Sequence, residues 1–458
     1  MLMTGATTPS AAQLDESRRT QALIERNFAA REGQLLLGGQ TVQTLAEQFG
    51  TPLFVYDASV LQRQWQTLRD ALPDRFRIFY SIKANPNLAL LRFFLQRDCG
   101  LEIASAGELQ QALAAGCVPE RIFFAGPGKR DEELALALQA GVGEIHVESM
   151  NEARRIAQLA SQRGEPAAIA LRVNPAAQVE GGAMRMGGRA APFGIDEDQL
   201  PEFLDAIRGN PWLKIVGLHL FMGTQILDAQ VLLAQYRAAI ELARGLATKL
   251  GNPLHTVDFG GGLGVPYFVG EQPLDLAALR AGLAELVCGL QDDPQFTGTQ
   301  LVVEPGRFLV AEAGVYLCRV LDVKTSRGKK FVILDGGMHH HLAASGNLGQ
   351  MIKRNFPIAV ANKLDRDAVE LVDLVGPLCT PLDTLGRSIL LPRVEIGDLV
   401  AVFQSGAYAR AASPLGFLSH PPPPEALVES GKAQLIRTRG DDRTWLADQP
   451  VGERTRNG

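Results

Sequence analysis

A chain of 458 residues with a formal net charge of −5 lacks the basic excess that general nucleic-acid binding requires. Its 46% hydrophobic and 21% charged residues are those of a globular protein with material for a large core. Five scattered cysteines, odd in number and without a CxxC, argue against a disulfide scaffold. No run nears the ~18 apolar residues of a membrane span and no signal-peptide core opens the chain, so a soluble cytoplasmic protein is expected, without nucleic-acid or membrane partners.

Residues 1–30 are polar and read as a loose arm or short helix. The segment 31–56, with "GQLLLGGQTV" (33–42) as a hairpin about Gly38-Gly39, is expected to join a later β domain. From residue 57 to 310 short apolar runs alternate with helical stretches. The strand candidates are "FRIFYSI", "GLEIAS", "RIFFAG", "EIHVES", "AIALRVN", "IVGLHLF", "TVDFGGG" and "QLVVEPG". Strand–helix alternation demands parallel strands. Eight units over this length fit an α/β fold built as a closed (β/α)8 TIM-like barrel, with an open doubly wound sheet as the rival.

Residues 311–440 change style. "VYLCRVLDVKTSRGKKFVILDGG" is two strand-like runs about an Arg-Gly turn, and "AVELVDLVGPL" and "RVEIGDLVAVFQ" continue it, which predicts a mainly antiparallel C-terminal β domain. The prolines at 421–424 can continue neither ladder nor helix. Residues 441–458 read as a mobile tail. No metal site is expected: the three histidines 339–341 have no acidic or cysteine partner spaced with them and suit a structural or substrate-lining role.

Barrel active sites form where strands end, and phosphate commonly sits after strands seven and eight. Run seven ends in "DFGGGLG" and run eight in "EPGR". Gly260, Gly261 and Gly262 let backbone N–H groups close on an anion, and Arg307 offers a planar charged fork; a tight turn is the alternative for the triplet. Lys83, ending the first run at the same rim, is either a snorkelling surface residue or an amine positioned to form a Schiff base. Phosphate cradle and lysine together suggest pyridoxal 5'-phosphate. Glu304 is placed to pair with its ring nitrogen, unless it is an ordinary strand-end salt bridge.

The ordered motifs "FYSIKANPN", "EIASAGEL", "HVESMNE", "LRVNP", "PFGID", "DFGGGLG", "EPGRFLV", "GPLCTPLD" and "SGAY" resemble the fold-type III pyridoxal-phosphate decarboxylases, among them diaminopimelate, ornithine and arginine decarboxylases. In "GGAMRMGG", "HLFMGTQ" and "DGGMHHHLAASGNLGQ" the chain is similar to the branch holding glutamyl-carrier-protein and exosortase-associated decarboxylases. The resemblance implies a carboxy-lyase in which Lys83 holds the cofactor and Glu304 meets the pyridine nitrogen. Gly260, Gly261, Gly262, Arg307, Thr224 and Tyr408 would bind phosphate. Cys379 would reprotonate the α-carbon from the neighbouring subunit of a homodimer.

Departures narrow the substrate. Where the ornithine and diaminopimelate members carry a ring-stacking histidine, this chain has Phe221, which stacks without charge, and His219 precedes it. The acid those members place after the cysteine to bind a distal ammonium is here Thr380, with Asp383 as a candidate replacement. An unpaired buried ammonium is costly, so an aminoacyl carrier protein bearing a glutamyl group is favoured over free diaminopimelate. Arg172, Arg185, Arg189 and His339 complete the candidate substrate residues; Arg185 and Arg189 would greet a carboxylate or an acidic carrier, or form a solvated loop. Racemisation on the related alanine-racemase fold and a non-catalytic cofactor-holding barrel are the other readings. Glu304 speaks against the first, and the C-terminal domain with its cysteine motif against the second.

Overall fold

In the computed structural model, which describes residues 9–176, 184–185, 190–221 and 223–449, eight short strands pair in parallel in the order of the chain. They are β1 (Phe76–Ser81), β2 (Gly100–Ile103), β3 (Ile122–Phe124), β4 (Glu144–Val147), β5 (Ala167–Asn174), β6 (Leu213–Leu220), β7 (Thr256–Asp258) and β8 (Gln300–Val303). Pairing of β8 with β1, Leu301 opposite Phe76, closes the ring. Each expected run supplies one strand, and the closed barrel excludes the open sheet.

A helix follows each strand: α1 (Leu88–Leu95), α2 (Ala106–Ala115), α3 (Asp131–Ala140), α4 (Met150–Arg163), α5 (Leu200–Ile207), α6 (Ala229–Leu250), α7 (Leu276–Gly289) and the single turn α8 (Arg307–Val310). Local chemistry sets their starts. The Ser105 and Ser149 side chains accept from the Glu108 and Glu152 amides at 3.2 and 3.1 Å, satisfying donors a helix leaves open. The buried residues Leu232, Tyr236, Ala239, Ala243 and Leu246 of α6 recur every three or four positions, one stripe laid on the strands. This unit spans Gln62–Pro266 and Gly270–Val310.

The second unit takes the residues through Leu61, Tyr267–Val269 and those from Ala311 onward. Its long strand Gly314–Ser326 pairs antiparallel with Leu53–Asp57, Lys329–Leu334 and Leu399–Val402. The Arg-Gly turn is a two-residue hairpin loop, Ser326 opposite Lys329, with φ of 49° at Arg327 and 80° at Gly328. Two pairings are parallel rather than antiparallel: Lys329–Leu334 with Glu370–Val375, and Leu53–Asp57 with Glu425–Glu429, which starts as soon as the proline run ends. The core gathers Leu53, Val55, Val315, Leu317, Leu399 and Phe403, with Leu23 and Ile24 from the helix Ala11–Asn27. In the stretch read as a tail, Thr444–Leu446 makes a 3-10 turn whose Trp445 indole donates to the His420 carbonyl at 3.2 Å. Among the described residues no helix is long and apolar enough to cross a membrane.

Candidate active site

The carboxyl ends of the barrel strands carry a dense set of polar side chains. After β1 the chain turns through a 3-10 segment, Ile82–Ala84, that presents Lys83 at the rim with its side chain 45% exposed. Lys83 Nζ lies 3.0 and 2.9 Å from the two carboxylate oxygens of Glu102, which is buried on the neighbouring β2 opposite Ser81. The Ser81 hydroxyl also donates to Glu102. The lysine is therefore oriented by a buried acid.

Next to this turn, β8 runs into Glu304-Pro305-Gly306-Arg307. A Cβ on Gly306 would lie 2.9 Å from the Ala84 Cβ and 3.1 Å from the Ser81 carbonyl, so the two turns touch. The Glu304 amide donates to the Gly260 carbonyl at 2.7 Å, tying the end of β8 to the glycine loop after β7. A Cβ on Gly261 would stand 2.7 Å from the Glu304 carbonyl, and one on Gly260 2.9 Å from the Phe221 ring. Gly260 and Gly262 have φ of 65° and 95°, where a side chain is strained. Among the described residues the amides of Gly261 and Gly262 enter no hydrogen bond. Thr224 sits in the short strand Gly223–Thr224, paired antiparallel with Met184–Arg185. Arg307 opens α8 beside the glycine loop's partner turn.

Three residues of this floor stand inside the quoted motifs, yet the sequence pattern assigns them no role at the site. His146, His219 and Asp258 are fully buried with Glu304, and His219 Nε2 lies 3.5 Å from Glu304 Oε2. The His146 and His219 ring centroids are 4.4 Å apart. Burial holds both imidazoles well below the usual range; the charges of His219 on His146, and of Arg172 on His219, add to it. Burial, with the Glu304 carboxylate next, raises the Asp258 carboxyl well above its ordinary value. Glu304 Oε1 makes no hydrogen bond among the described residues.

To one side runs a second buried network. Arg172 Nη1 is 2.7 Å from Glu148 Oε1, and its guanidinium lies 5.2 Å from the Phe193 ring centre. Glu148 also accepts from the Gly126 and Gly194 amides, both at 2.9 Å. Lys129 donates to the carbonyls of Gly126 and His146 and to Glu152. Arg172 is thus committed to an acid of the barrel; Glu148 and Glu152 stand in the motif "HVESMNE" without a role assigned to them there, and Lys129 stands in no quoted motif. Arg185 ends the two-residue strand Met184–Arg185; Arg189 lies outside the described residues.

The other unit holds the remaining candidates. Cys379 is an exposed free thiol, and Tyr408 is half-buried with a φ of 53°. Thr380 Oγ1 accepts from the Leu382 amide at 3.3 Å. Asp383 is buried, and its two oxygens accept from the Met338 and Leu378 amides at 2.6 and 2.9 Å. It braces its own loop. His339 lies against His340 with ring centres 3.7 Å apart and planes tilted by 42°, and burial pushes its pKa down to about 4. His341 accepts from the Ala344 amide through Nδ1, so its Nε2 carries the proton given to Ser405 Oγ at 3.0 Å.

The model of the pyridoxal-dependent decarboxylases' pyridoxal binding domain matches residues 58–311, more than half of the chain. The chain belongs to this family. It is 39% identical over 411 residues to the L-glutamyl-[BtrI acyl-carrier protein] decarboxylase of Niallia circulans, covering 89% of this chain and 96% of that one. It is 32% identical over 432 residues to the diaminopimelate decarboxylase of Zymomonas mobilis, covering 92% and 98%. The crystal structure of diaminopimelate decarboxylase from M. jannaschii with L-lysine superposes with a TM-score of 0.84 at 27% identity, covering 93% of this chain and 98% of that one. The protein is a pyridoxal-phosphate-dependent carboxy-lyase. The site residues fit that cofactor: an open buried acceptor on Glu304 for a ring N–H, two unengaged amides for phosphate, and a phenyl face at Phe221.

Proposed function

We propose that the protein removes the α-carboxylate of an L-glutamyl group carried as a thioester on an acyl-carrier protein. Bound pyridoxal phosphate supplies a ring that withdraws the electron pair left when carbon dioxide departs. Lys83 would hold the cofactor through its amine, which Glu102 orients. Glu304 would meet the ring nitrogen, Phe221 would offer a phenyl face to the ring, and the 260–262 loop with Arg307 and Thr224 would receive the phosphate. Cys379 returns a proton to the α-carbon. Its exposure here, with the 49%-exposed Leu382 beside it in the same loop, suits a face covered by a second copy of the chain. The working unit is then a homodimer, and five free cysteines suit a reducing cytoplasm.

One observation carries the substrate assignment. In the loop 376–383 the only acid is Asp383, and both of its oxygens already hold backbone amides. A diaminopimelate ammonium arriving there would meet Thr380 and stay unpaired at a cost of several kcal/mol, whereas a thioester brings no such charge. Free diaminopimelate is the competing reading, supported by the relatives from Z. mobilis and M. jannaschii. Incubating the holoenzyme with glutamyl-carrier protein and with diaminopimelate, and weighing the products, separates them. Loss of carbon dioxide from diaminopimelate alone overturns the proposal.

A further inference from the structure

The barrel interior below Glu304 is polar where an ordinary barrel is filled with branched apolar side chains. Glu144 and His146 on β4, and Thr256 and Asp258 on β7, each stand two residues apart, so both members of each pair face the same way, inward. On β6, His219 has Gly217 two residues before it. A Cβ at 217 would lie 2.1 Å from Thr256 Oγ1 and 3.1 Å from Glu144 Oε2, so this glycine leaves the space the two polar groups use. At its foot the stack meets a cavity of about 360 Å³ at the amino-terminal mouth, lined by Glu144 and Thr256 with Arg77, Phe123, His255 and Gln300.

Asp258 and Glu304 share a side-chain hydrogen bond, and the other ionisable groups are close without direct bonds between them. Glu144 Oε2 is 3.8 Å from His146 Nε2, which is 4.0 Å from Asp258 Oδ2, and His219 Nε2 is 3.5 Å from Glu304 Oε2. Thr256 donates to Glu144 Oε1 at 2.6 Å. Glu144 Oε2, both nitrogens of each histidine, Asp258 Oδ2 and Glu304 Oε1 make no hydrogen bond among the described residues. So many buried polar atoms in one file call for bridging solvent, and spacings beyond 3.5 Å are those at which water mediates.

We propose that Glu144, His146, His219 and Asp258, with the water they hold, form a proton path from solvent at the amino-terminal mouth of the barrel to Glu304. The inference rests on the reading of Glu304 as the acid at the cofactor's ring nitrogen. Burial supports the chemistry by keeping the imidazoles neutral and the Asp258 and Glu144 carboxyls protonated, the latter raised to about 8. Neutral imidazole and protonated carboxyl each offer one donor and one acceptor. Every hop forms one N–H or O–H bond as it breaks another; a proton enters at Glu144, one leaves at Glu304, and no charge stays buried. The charged groups facing the file are Lys83, Glu102, Lys129 and Arg172 around the histidines, and Arg77, Asp98, Glu120 and Arg121 around the cavity at Glu144. The path lets the ring nitrogen exchange protons from behind while substrate closes the opposite mouth.

The test is a pH jump on the holoenzyme, with a non-reactive substrate analogue seated, followed at the cofactor's visible band. The path predicts that His146→Leu slows the relaxation by about an order of magnitude or more while cofactor affinity stays the same. Glu144→Leu should do likewise from the far end. Equal relaxation in wild type and both variants overturns the path while leaving the cofactor site standing; absence of the band in wild type overturns the site reading, and the path with it. Should the variants not fold, a high-resolution crystal structure of the wild-type holoenzyme decides: ordered waters between Glu144 and Glu304 support the path, and a dry file or a bound metal ion refutes it.

Discussion

Replacing Gly261 with alanine probes how tightly the glycine loop is pressed on the end of β8. The new Cβ would stand 2.7 Å from the Glu304 carbonyl oxygen, 0.7 Å short of the 3.4 Å at which contacts become ordinary. The obstacle is backbone on both sides, so no side chain can swing away. Relief requires parting the two loops and stretching the 2.7 Å bond from the Glu304 amide to the Gly260 carbonyl. Overpacking costs about 1–3 kcal/mol, and a weakened hydrogen bond about 1 more. Since the displaced amides are those assigned to phosphate, cofactor affinity should fall by about tenfold to a hundredfold. Gly245→Ala is the control: that glycine is exposed within α6, a Cβ there meets open space, and stability should rise by about 0.8–1 kcal/mol. Urea denaturation and absorbance titration with pyridoxal phosphate read both quantities. A Gly261→Ala protein as stable as wild type, binding cofactor as tightly, would refute the close-packed cradle.

Lys83→Ala should abolish the visible absorbance that pyridoxal phosphate gains on attachment, in a protein whose melting temperature is retained; persistence of the band would reassign the lysine. Cys379→Ala should lower kcat by about a hundredfold or more while leaving cofactor absorbance intact, as fits loss of a general acid; steady-state turnover checks this. Glu148→Leu strands Arg172 and two backbone amides and should cost about 3–5 kcal/mol in denaturant unfolding. Glu144, held near 8 against an ordinary 4.5, keeps its proton in the folded state where the unfolded chain has lost it. Its contribution therefore destabilises progressively as pH rises through that window. Glu144→Gln should gain stability relative to wild type between pH 5 and 8, and parallel stability–pH curves would contradict the assignment.

The barrel was legible because each strand is a short apolar run ended by a polar residue or glycine, and each helix keeps an apolar stripe such as Leu232 to Leu246. The placement of Lys83, Glu304 and the glycine triplet at strand ends was legible too, because each directly follows an apolar run. The floor was not. Glu144, His146 and Asp258 sit inside runs that periodicity assigns to strands, and a buried acid looks in sequence like a surface one. A signal was present all the same: "EIHV" places two ionisable groups two residues apart on a strand that parallel neighbours bury on both faces. Glu102 and Glu148 were hidden for another reason, because their partners Lys83 and Arg172 come from other strands. The parallel pairing of Leu53–Asp57 with Glu425–Glu429 joins segments nearly the whole chain apart, which no local pattern reports.

That pairing orders events during synthesis. Leu53–Asp57 leaves the ribosome early yet is flanked by Gly314–Ser326 and Glu425–Glu429, so it waits through the making of the entire barrel before either neighbour exists. The barrel's strands, by contrast, each meet a partner within the next few dozen residues. Translation therefore delivers a finished barrel while the companion sheet still has bare edges. That interval is when nascent chains are most exposed to premature association with one another.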